Sequence, residues 1–452
     1  MRGLGLLDAT TLIVGSVIGS GIFVAPSIMA GYIQTPGLLL GLWVLGGILT
    51  LFGALAYGEM AAALPRAGGQ YVYLKEAFSP LWGFLYGWTF LLAINTGFIA
   101  AVAVAFAKYL GVFFPVVGES TALFMVGTYA FTTAQAVALV VIAALTWINI
   151  TGLRTGATVQ NVFTIAKVAA IAVLVIIAIV THRGSIQNFT PLVGTALGPE
   201  GLKIGLVAAL GAAMSKALFA YDAWNSVTFA AEEIREPEKN LPRALALGTL
   251  GIMAVYLAAV AVYLYMVPID QMYLVKENRI AAEAAQRMIG SAGSALIAVA
   301  IMVSTFGCVN GLILAGARVL FAMGRDGLFF KRVAEVHPVH RTPAPALLLQ
   351  GGVAAALTLT GTYDDLLTQT AFASLLFNTL TVAALFVLRH RRPDLPRPYR
   401  AWGYPVLPAI YLLVSVFFLY SIFMGDTKNS ARGLGVVAVG LLAYGYWIRK
   451  RT

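Results

Sequence analysis

Charged residues and cysteine are scarce in this 452-residue chain. Lysine, arginine, aspartate and glutamate make up only 11% of it and hydrophobic residues 60%, whereas soluble domains carry about 25% charged residues. We therefore predict a membrane protein. The single cysteine, Cys308, lies in a predicted membrane span, so a disulfide within the chain is excluded, and a disulfide to a partner is not expected at that depth.

Groups that carry enzyme chemistry are also few. The four histidines lie outside the predicted spans, and their spacing indicates no metal site. The sequence has no phosphate-cradling glycine loop, nucleophile elbow or pair of catalytic carboxylates. We therefore predict no catalytic residues, no metal and no cofactor, which disfavours an intramembrane enzyme. A non-transporting sensor is also disfavoured, because we expect it to carry a soluble output domain and the apolar runs leave no room for one.

Long apolar runs predict an all-α integral membrane protein with twelve transmembrane helices. The predicted spans are 6–32, 37–63, 80–107, 125–150, 156–181, 203–231, 242–267, 292–323, 344–362, 366–389, 404–424 and 431–448. Twenty of the thirty lysines and arginines lie in loops and termini that a cytoplasmic N-terminus places inside, eight lie outside and two lie within spans. This asymmetry predicts a multi-pass cell-membrane protein with both termini cytoplasmic. The net charge of +11 resides mostly in these loops, so it does not indicate a nucleic-acid partner.

The most informative segment is Gly15 to Phe23, near the middle of the first span. Its three glycines and two serines weaken a helix at a depth where every unpaired backbone group is costly. If the helix unwinds here, the N–H groups of Gly19, Ser20 and Gly21 lie at the positive end of the following half-helix, which suits a carboxylate. The carbonyls around Val17 would suit an ammonium group. Close helix packing by small residues is the alternative interpretation.

A second interruption, Phe219 to Asn225, lies in the sixth span. Because five spans is an odd number, successive groups of five enter the membrane from opposite sides. Two broken helices at matching positions of two inverted halves indicate a binding site near the membrane midplane. We therefore predict a 5+5 inverted repeat with discontinuous helices 1 and 6, divided into residues 1–182, 183–390 and 391–452.

Three charged residues lie deep inside the predicted spans. Asp222 costs about 2.5–3.5 kcal/mol on insertion scales; it could complement a substrate ammonium, carry a proton, or pair with Lys216 six residues earlier. Lys167, near the centre of the fifth span, could replace a bound metal cation and tie that span to the first break. The alternative for Lys167 is a buried lysine that is neutralised or held by a structural carboxylate. Phe219 could close over a bound solute, and Asn225 could bond freed backbone.

Charged residues also stand at the predicted inner ends of the second, sixth and eighth spans. Glu59, Glu232, Glu233 and Arg318 could form charge pairs that close the cytoplasmic side and separate on opening. The alternative is ordinary helix termination with solvated charges.

Several motifs are specific in combination. They are Gly15 to Phe23; Tyr57-Gly58-Glu59 with Leu64 to Gly69; Phe219 to Asn225 with Glu232-Glu233 and Asn240 to Arg243; Phe306 to Gly311; and Arg325-Asp326-Gly327. Together they resemble the amino acid–polyamine–organocation superfamily, and most closely the bacterial form of the L-type amino-acid transporter family. The resemblance implies the LeuT-type fold and alternating access, without covalent chemistry.

The resemblance also implies roles for particular residues. In this family the substrate carboxylate meets backbone amides at positions matching Ser20 and Gly21, and the residue matching Phe219 acts as an occluding gate. The substrate amino group meets carbonyls at positions matching Val17, Phe219 and Asp222. The predicted substrate-binding residues are Val17, Ile18, Gly19, Ser20, Gly21, Phe219, Ala220, Asp222 and Asn225. The predicted coupling or gating residues are Lys167, Phe219, Asp222 and Lys216.

Two functions remain open at this point. A lysine matching Lys167 stands near the sodium position of sodium-coupled relatives, which fits sodium-independent exchange of neutral L-amino acids. The alternative is proton-coupled transport of a cationic amino acid or amine, with Asp222 titrating. Many animal members carry glycine where Asp222 stands. Animal members also join a heavy chain through a cysteine between the third and fourth spans; no cysteine occurs there, so we predict no disulfide-linked heavy chain.

Overall fold

The computed structural model describes residues 3–126, 129–151 and 153–449. Arg2, Lys450 and Arg451, which are among the twenty basic residues predicted to be cytoplasmic, lie outside these ranges. The start of the predicted segment 1–182 and the end of the predicted segment 391–452 lie outside them too.

Helices account for most of the described residues. The first ten are α1 (Leu6–Val17), α2 (Gly21–Tyr32), α3 (Pro36–Ala63), α4 (Gln70–Ala77), α5 (Pro80–Thr89), α6 (Asn95–Leu110), α7 (Thr133–Thr151), α8 (Leu153–Thr181), α9 (Pro199–Ile204) and α10 (Leu206–Tyr221). The others are α11 (Pro237–Met266), α12 (Ile269–Met272), α13 (Ile280–Ile289), α14 (Ser291–Arg325), α15 (Ala344–Thr358), α16 (Tyr363–Arg391), α17 (Val406–Gly425) and α18 (Thr427–Arg449). A π-helical turn (Phe90–Ile94) joins α5 to α6, and 3-10 turns cover Ile186–Phe189, Ser226–Glu233, Lys276–Asn278 and Lys331–Ala334.

The predicted multi-pass helical architecture is confirmed. Among the described residues, ten helical segments are long and apolar enough to cross a membrane. With the shorter α15 and with α18 they make up the twelve predicted spans. The first span is divided into α1 and α2, and the sixth into α10 and the 3-10 turn that follows it. Both predicted helix breaks are therefore present.

The two broken spans lie at the centre of the helix packing. α1 packs against α8, α11 and α14, whereas α2 packs against α10. In the most apolar window of the first span 89% of residues are buried, against 28% in the fifth span, α8. The first span is surrounded by neighbouring helices, and most of its residues are therefore buried. Most residues of the α8 window are not buried by protein, so they are available to contact lipid. Any solute site at the breaks is therefore enclosed by protein.

The fourth span begins later than predicted. Residues 125–150 were expected to form one helix, but a hairpin of β1 (Ala122–Val126) and β2 (Tyr129–Thr132) comes first, and α7 begins at Thr133. The strands are antiparallel, and Phe124 pairs with Phe131, their ring centroids 4.8 Å apart. Aromatic and β-branched residues favour strands, and an apolar run this short cannot be assigned to a helix or a strand by composition alone.

Candidate functional site

The first break opens the chain for three residues. α1 ends at Val17, Ile18 leaves the helix with ψ 84°, and α2 begins at Gly21. A Cβ atom added at Gly21 would come within 2.5 Å of the Cα atom of Ala220, in the sixth span. Since only glycine permits this approach, Gly21 serves the contact between the two broken spans. The glycine-rich segment therefore combines unwinding with the close packing that was the alternative interpretation.

The start of α2 presents backbone donors. The Gly19 amide, which was predicted to be free for a carboxylate, instead donates to the carbonyl of Val17 at 2.7 Å. Among the described residues, the amides of Ser20 and Gly21 make no backbone hydrogen bond. The Ser20 hydroxyl accepts a hydrogen bond from the hydroxyl of Tyr363 at 3.0 Å, at the start of α16. Two amide donors thus remain at the positive end of a twelve-residue helix, an arrangement that favours an anion.

The end of α1 presents carbonyls that a cation already occupies. The Lys167 ammonium, on α8, donates to the carbonyl oxygens of Gly15 and Ile18 at 2.8 Å each. Ser304, on α14, donates to the same Ile18 oxygen at 3.1 Å. The Lys167 side chain is 1% exposed, and within the described ranges no carboxylate lies within ion-pair distance of it. Lys167 therefore links the fifth span to the first break through backbone oxygens, and no structural carboxylate partner is found for it in this part of the chain.

Tyr256 connects the two breaks, and the sequence analysis did not find it. This α11 side chain is fully buried, and its hydroxyl lies 2.9 Å from the carbonyl oxygens of both Val17 and Ala220. A phenol has a single O–H donor, so one of the two carbonyls is available to another donor at any moment. Tyrosine in an apolar span is common, and only the fold brings its hydroxyl to both breaks.

The second break leaves a buried carboxylate without a basic partner. α10 ends at Tyr221, and the Asp222 carboxylate accepts a hydrogen bond from the amide of Ala223 at 2.6 Å. Asp222 is only 9% exposed. No lysine or arginine in the described ranges lies within ion-pair distance of it. A buried unpaired carboxylate is unfavourable. Asp222 is therefore expected to bind a cation, to be protonated, or to be hydrated by water.

Lys216 does not pair with Asp222, which corrects one of the alternatives for this residue. Its ammonium lies 2.5 Å from the carboxylate of Asp364 and 2.6 Å from the hydroxyl of Thr368, both on α16. The Lys216 side chain is 2% exposed, whereas that of Asp364 is 45% exposed. The helical spacing of six residues was already poor for a Lys216–Asp222 pair, and the fold instead places Lys216 on the α16 side of α10. This ion pair ties α10 to α16.

A central cavity lies beside the second break. Its volume is about 20 Å³, enough for about one water. Its lining residues are Gln70, Tyr86, Phe90, Ile94, Asn95, Phe98, Asp222, Ala223, Asn225, Ser226, Phe229, Leu312, Ala315 and Ser374. Of the predicted substrate residues only Asp222 and Asn225 are among them. The structure is thus a closed conformation, in which the segment from Val17 to Gly21 does not border the cavity.

Aromatic side chains crowd the space near the second break. Phe219 packs against Phe98, their ring centroids 4.7 Å apart, and against Tyr363 at 6.3 Å. Tyr363 is the residue whose hydroxyl bonds Ser20. Phe219 therefore contacts both a cavity-lining ring and a residue bonded to the first break.

Asn225 bonds other side chains rather than freed backbone. Its amide nitrogen donates to the side-chain oxygen of Gln70 at 2.8 Å, and Gln70 in turn donates to Thr381 at 2.9 Å. The side-chain oxygen of Asn378, on α16, accepts from Tyr57 at 2.9 Å and lies 3.5 Å from the same Asn225 nitrogen. The inner wall of the cavity is therefore a hydrogen-bonded network across α3, α4 and α16.

Charge pairs connect several spans at the ends that the sequence predicts to face the cytoplasm. Glu59, 2% exposed, accepts from Arg389 at 2.9 and 2.5 Å and lies 3.2 Å from Arg397. Glu233 accepts from Arg318 at 2.7 and 3.0 Å. These residues pair with one another rather than merely ending helices, so this end of the helix bundle is tied together in this conformation.

A further contact at the same end of the bundle involves Asp326, which follows α14. Its carboxylate accepts hydrogen bonds from Lys75 and, at 2.8 Å, from Tyr71. Burial alone would raise the pKa of Asp326, but these two hydrogen bonds and the charges of Lys75 and Arg325 outweigh it and hold that pKa below its usual value. The Asp326 carboxylate is thus stabilised in its charged form in the folded protein.

A helix bundle with two broken spans meeting at its centre defines a multi-pass membrane transporter. The sequence pattern of the family described as amino acid permease matches residues 4–443. The serine/threonine exchanger SteT of Bacillus subtilis is 33% identical over 452 residues, which is 100% of this chain and 97% of that protein. The mouse b(0,+)-type amino acid transporter 1 is 31% identical over 92% of this chain and 82% of its own length. Mouse large neutral amino acids transporter small subunit 2 is also 31% identical, over 99% and 82%.

The chain belongs to the amino acid permease family, within the amino acid–polyamine–organocation superfamily. It is an amino-acid transporter in the membrane and not an enzyme. The resemblance found in the sequence motifs is thereby confirmed.

Proposed function

We propose that this protein exchanges neutral L-amino acids across the cell membrane by alternating access, independently of sodium. The observation that carries the proposal is the arrangement of charge at the first break. The Lys167 ammonium occupies the carbonyls of Gly15 and Ile18 at 2.8 Å, and the amides of Ser20 and Gly21 remain as donors. A fixed cation at the carbonyls removes the need for a sodium ion there, and the amides suit the carboxylate common to all amino acids.

The substrate amino group completes the proposed site. It would meet the carbonyls near Val17, Phe219 and Ala220, exchanging places with the Tyr256 hydroxyl that now lies 2.9 Å from two of them. We also propose that Ile18, Gly19, Asp222 and Asn225 surround the substrate. The Gly19 amide donates to the Val17 carbonyl at 2.7 Å, so the carboxylate is left to the amides of Ser20 and Gly21. The chain's resemblance to a protein described as a serine/threonine exchanger supports exchange of small neutral substrates.

Thermal unfolding with added amino acids tests this proposal. A ligand that binds only the folded state stabilises it by about 2.7 kcal/mol at one hundred times its dissociation constant. We expect neutral L-amino acids to raise the unfolding temperature without sodium. Their methyl esters, which lack the carboxylate, should have no effect. Equal stabilisation by acid and ester, or stabilisation only with sodium, would contradict the proposed site.

Proton-coupled transport of a cationic amino acid or amine is the second candidate. The observation that favours it is the buried Asp222 carboxylate without a basic partner among the described residues. A pH gradient alone should then drive accumulation of a cationic substrate in liposomes, and Asp222→Asn should abolish that drive. Accumulation that ignores the gradient would exclude this candidate.

The placement of the chain in the cell completes the proposal. We keep the plasma membrane as its location, with both termini cytoplasmic, and the segments 1–182, 183–390 and 391–452 as the two inverted repeats and a final helix pair. We also keep the absence of a disulfide-linked heavy chain, because the single cysteine, Cys308, is buried 3.0 Å from the carbonyl of Ser16. Labelling of single cysteines placed in the loops from either side would test the orientation.

A further inference from the structure

Lys108 is a buried charge that the proposed site does not use. It lies in the last turn of α6, and its side chain is only 2% exposed. Its ammonium lies 2.7 Å from the carboxylate of Glu119, in the loop before β1, and 3.8 Å from the carboxylate of Glu277. A buried ammonium without a carboxylate partner is strongly unfavourable, so Lys108 fixes the position of Glu119.

Glu119 uses its second oxygen at the start of α16. Its Oε2 atom faces Lys108, whereas its Oε1 atom accepts a hydrogen bond from the amide of Tyr363 at 2.8 Å. Tyr363 is the first residue of α16, where the positive end of the helix favours a carboxylate. The Lys108 ammonium also lies 5.1 Å from the centre of the Tyr363 ring, which is within cation–π range. Tyr363 is therefore held by its backbone and by its ring.

The Tyr363 hydroxyl extends this placement to the first break. Tyr363 is 1% exposed, and its hydroxyl donates to the Ser20 hydroxyl at 3.0 Å. Ser20 is the N-cap of α2, where a serine side chain commonly accepts a hydrogen bond from the helix amides. Within the described ranges the Ser20 side chain makes no such capping bond. The contact with Tyr363 therefore holds this side chain from outside α2.

We infer that Lys108 and Glu119 are positioning residues for the carboxylate end of the substrate site. They act through Tyr363, which holds Ser20 so that the amides of Ser20 and Gly21 face the carboxylate. This inference rests on the proposed amino-acid site, because it assigns those two amides to the substrate. Loosening Ser20 weakens substrate binding and leaves the rocking of the helices unaltered. The effect therefore falls on the KM of exchange and not on its maximal rate.

Exchange in liposomes tests this inference, with the common neutral L-amino acid that the wild-type protein exchanges fastest as the substrate. Glu119→Gln keeps an acceptor for the Tyr363 amide but removes the charge that holds it at Lys108. KM should rise about fivefold, the factor of one hydrogen bond, with the maximal rate within about twofold of wild type. An unchanged KM with a maximal rate that falls with the amount of folded protein would overturn the positioning role. Glu283→Gln is the matched control, because it neutralises another partly exposed carboxylate, paired with Arg287 at 2.8 Å, and should leave KM unchanged.

A double-mutant cycle with Tyr363→Phe separates action through Tyr363 from two independent effects. Tyr363→Phe removes only the hydroxyl that bonds Ser20, and should by itself raise KM about fivefold. Adding Glu119→Gln to Tyr363→Phe should then raise KM by less than about twofold more. A further rise of about fivefold would overturn the inference. If Glu119→Gln does not fold, Lys108→Met combined with Glu119→Gln takes its place with the same expectations, because it leaves no buried lysine unpaired.

The outcomes distinguish this inference from the proposed function. If the wild-type protein exchanges an amino acid and neither Glu119→Gln nor Tyr363→Phe changes KM, the positioning role is wrong and the amino-acid site stands. If the wild-type protein exchanges no common amino acid, the proposed function fails and the positioning role fails with it. Coupled rises in KM, with Glu283→Gln unchanged, support both.

Discussion

Replacing Lys167 tests the geometry of the first break most sharply. In Lys167→Ala the two ammonium hydrogen bonds at 2.8 Å are lost. The Ile18 oxygen keeps Ser304 at 3.1 Å, so chiefly the Gly15 oxygen is left unpaired, at about 1–3 kcal/mol. Removing a buried ammonium also relieves a desolvation penalty of several kcal/mol, which offsets that loss. We therefore expect a small change in stability and a large change in transport, because the break loses its fixed cation.

Two measurements on the same preparation check this expectation. Thermal unfolding should shift by a few degrees at most, whereas exchange in liposomes should fall by about tenfold or more, equivalent to about 1.4 kcal/mol. Lys203→Ala removes an exposed lysine whose ion pair is with Glu200, three residues earlier, and should change neither quantity. A Lys167→Ala protein that exchanges at the wild-type rate would refute the role of the ammonium. So would a loss of exchange that merely follows the loss of folded protein.

Three other predictions concern positions around the site. Tyr256→Phe preserves shape but removes the hydroxyl shared by both breaks, so exchange should fall by about five- to tenfold, in line with a hydrogen bond of about 1 kcal/mol; an unchanged rate would exclude its role. Asp364→Asn leaves the Lys216 ammonium buried without its carboxylate, so it should lower the unfolding temperature more than Lys216→Met, which removes the buried charge itself; the reverse order would contradict the ion pair. Because the folded pKa of Asp326 lies below its unfolded value, near 3.9, its contribution to stability is present above that pH and lost as pH falls through the folded pKa. Asp326→Asn should therefore lower the unfolding temperature near neutral pH, and the difference from wild type should shrink in acid; a difference independent of pH would contradict it.

The helix breaks could be predicted because their cause is local. Glycines and serines in the segment Gly15 to Phe23, and an aspartate in the segment Phe219 to Asn225, are unfavourable at bilayer depth whatever surrounds them. The contact between Lys167 and the first break was predicted because a lysine near the centre of a span is also unfavourable without a polar partner. The break supplies free carbonyl oxygens for it. The structure agrees with each of these placements.

Partners far apart in the chain could not be predicted. Lys216 could have paired with Asp222 by sequence, but it pairs with Asp364, and nothing in a single helix indicates which face meets α16. Tyr256 is one of many tyrosines, and Gln70 is an isolated polar residue in a loop region; only the packing of α11 and α4 brings them to the breaks and to the cavity. The hairpin before α7 was not predicted because its residues are as apolar as those of the following span. The apolar run therefore shows no boundary between the hairpin and the helix.

Counterflow in liposomes tests the central claim most directly. Purified protein is reconstituted without sodium, and uptake of a radiolabelled neutral L-amino acid is compared between liposomes preloaded with unlabelled amino acid and empty ones. Exchange through a site with a fixed cation at Lys167 predicts faster uptake into preloaded liposomes, and no further gain when sodium is added. Absence of uptake for every common amino acid, or uptake that appears only with a sodium gradient, would contradict the account.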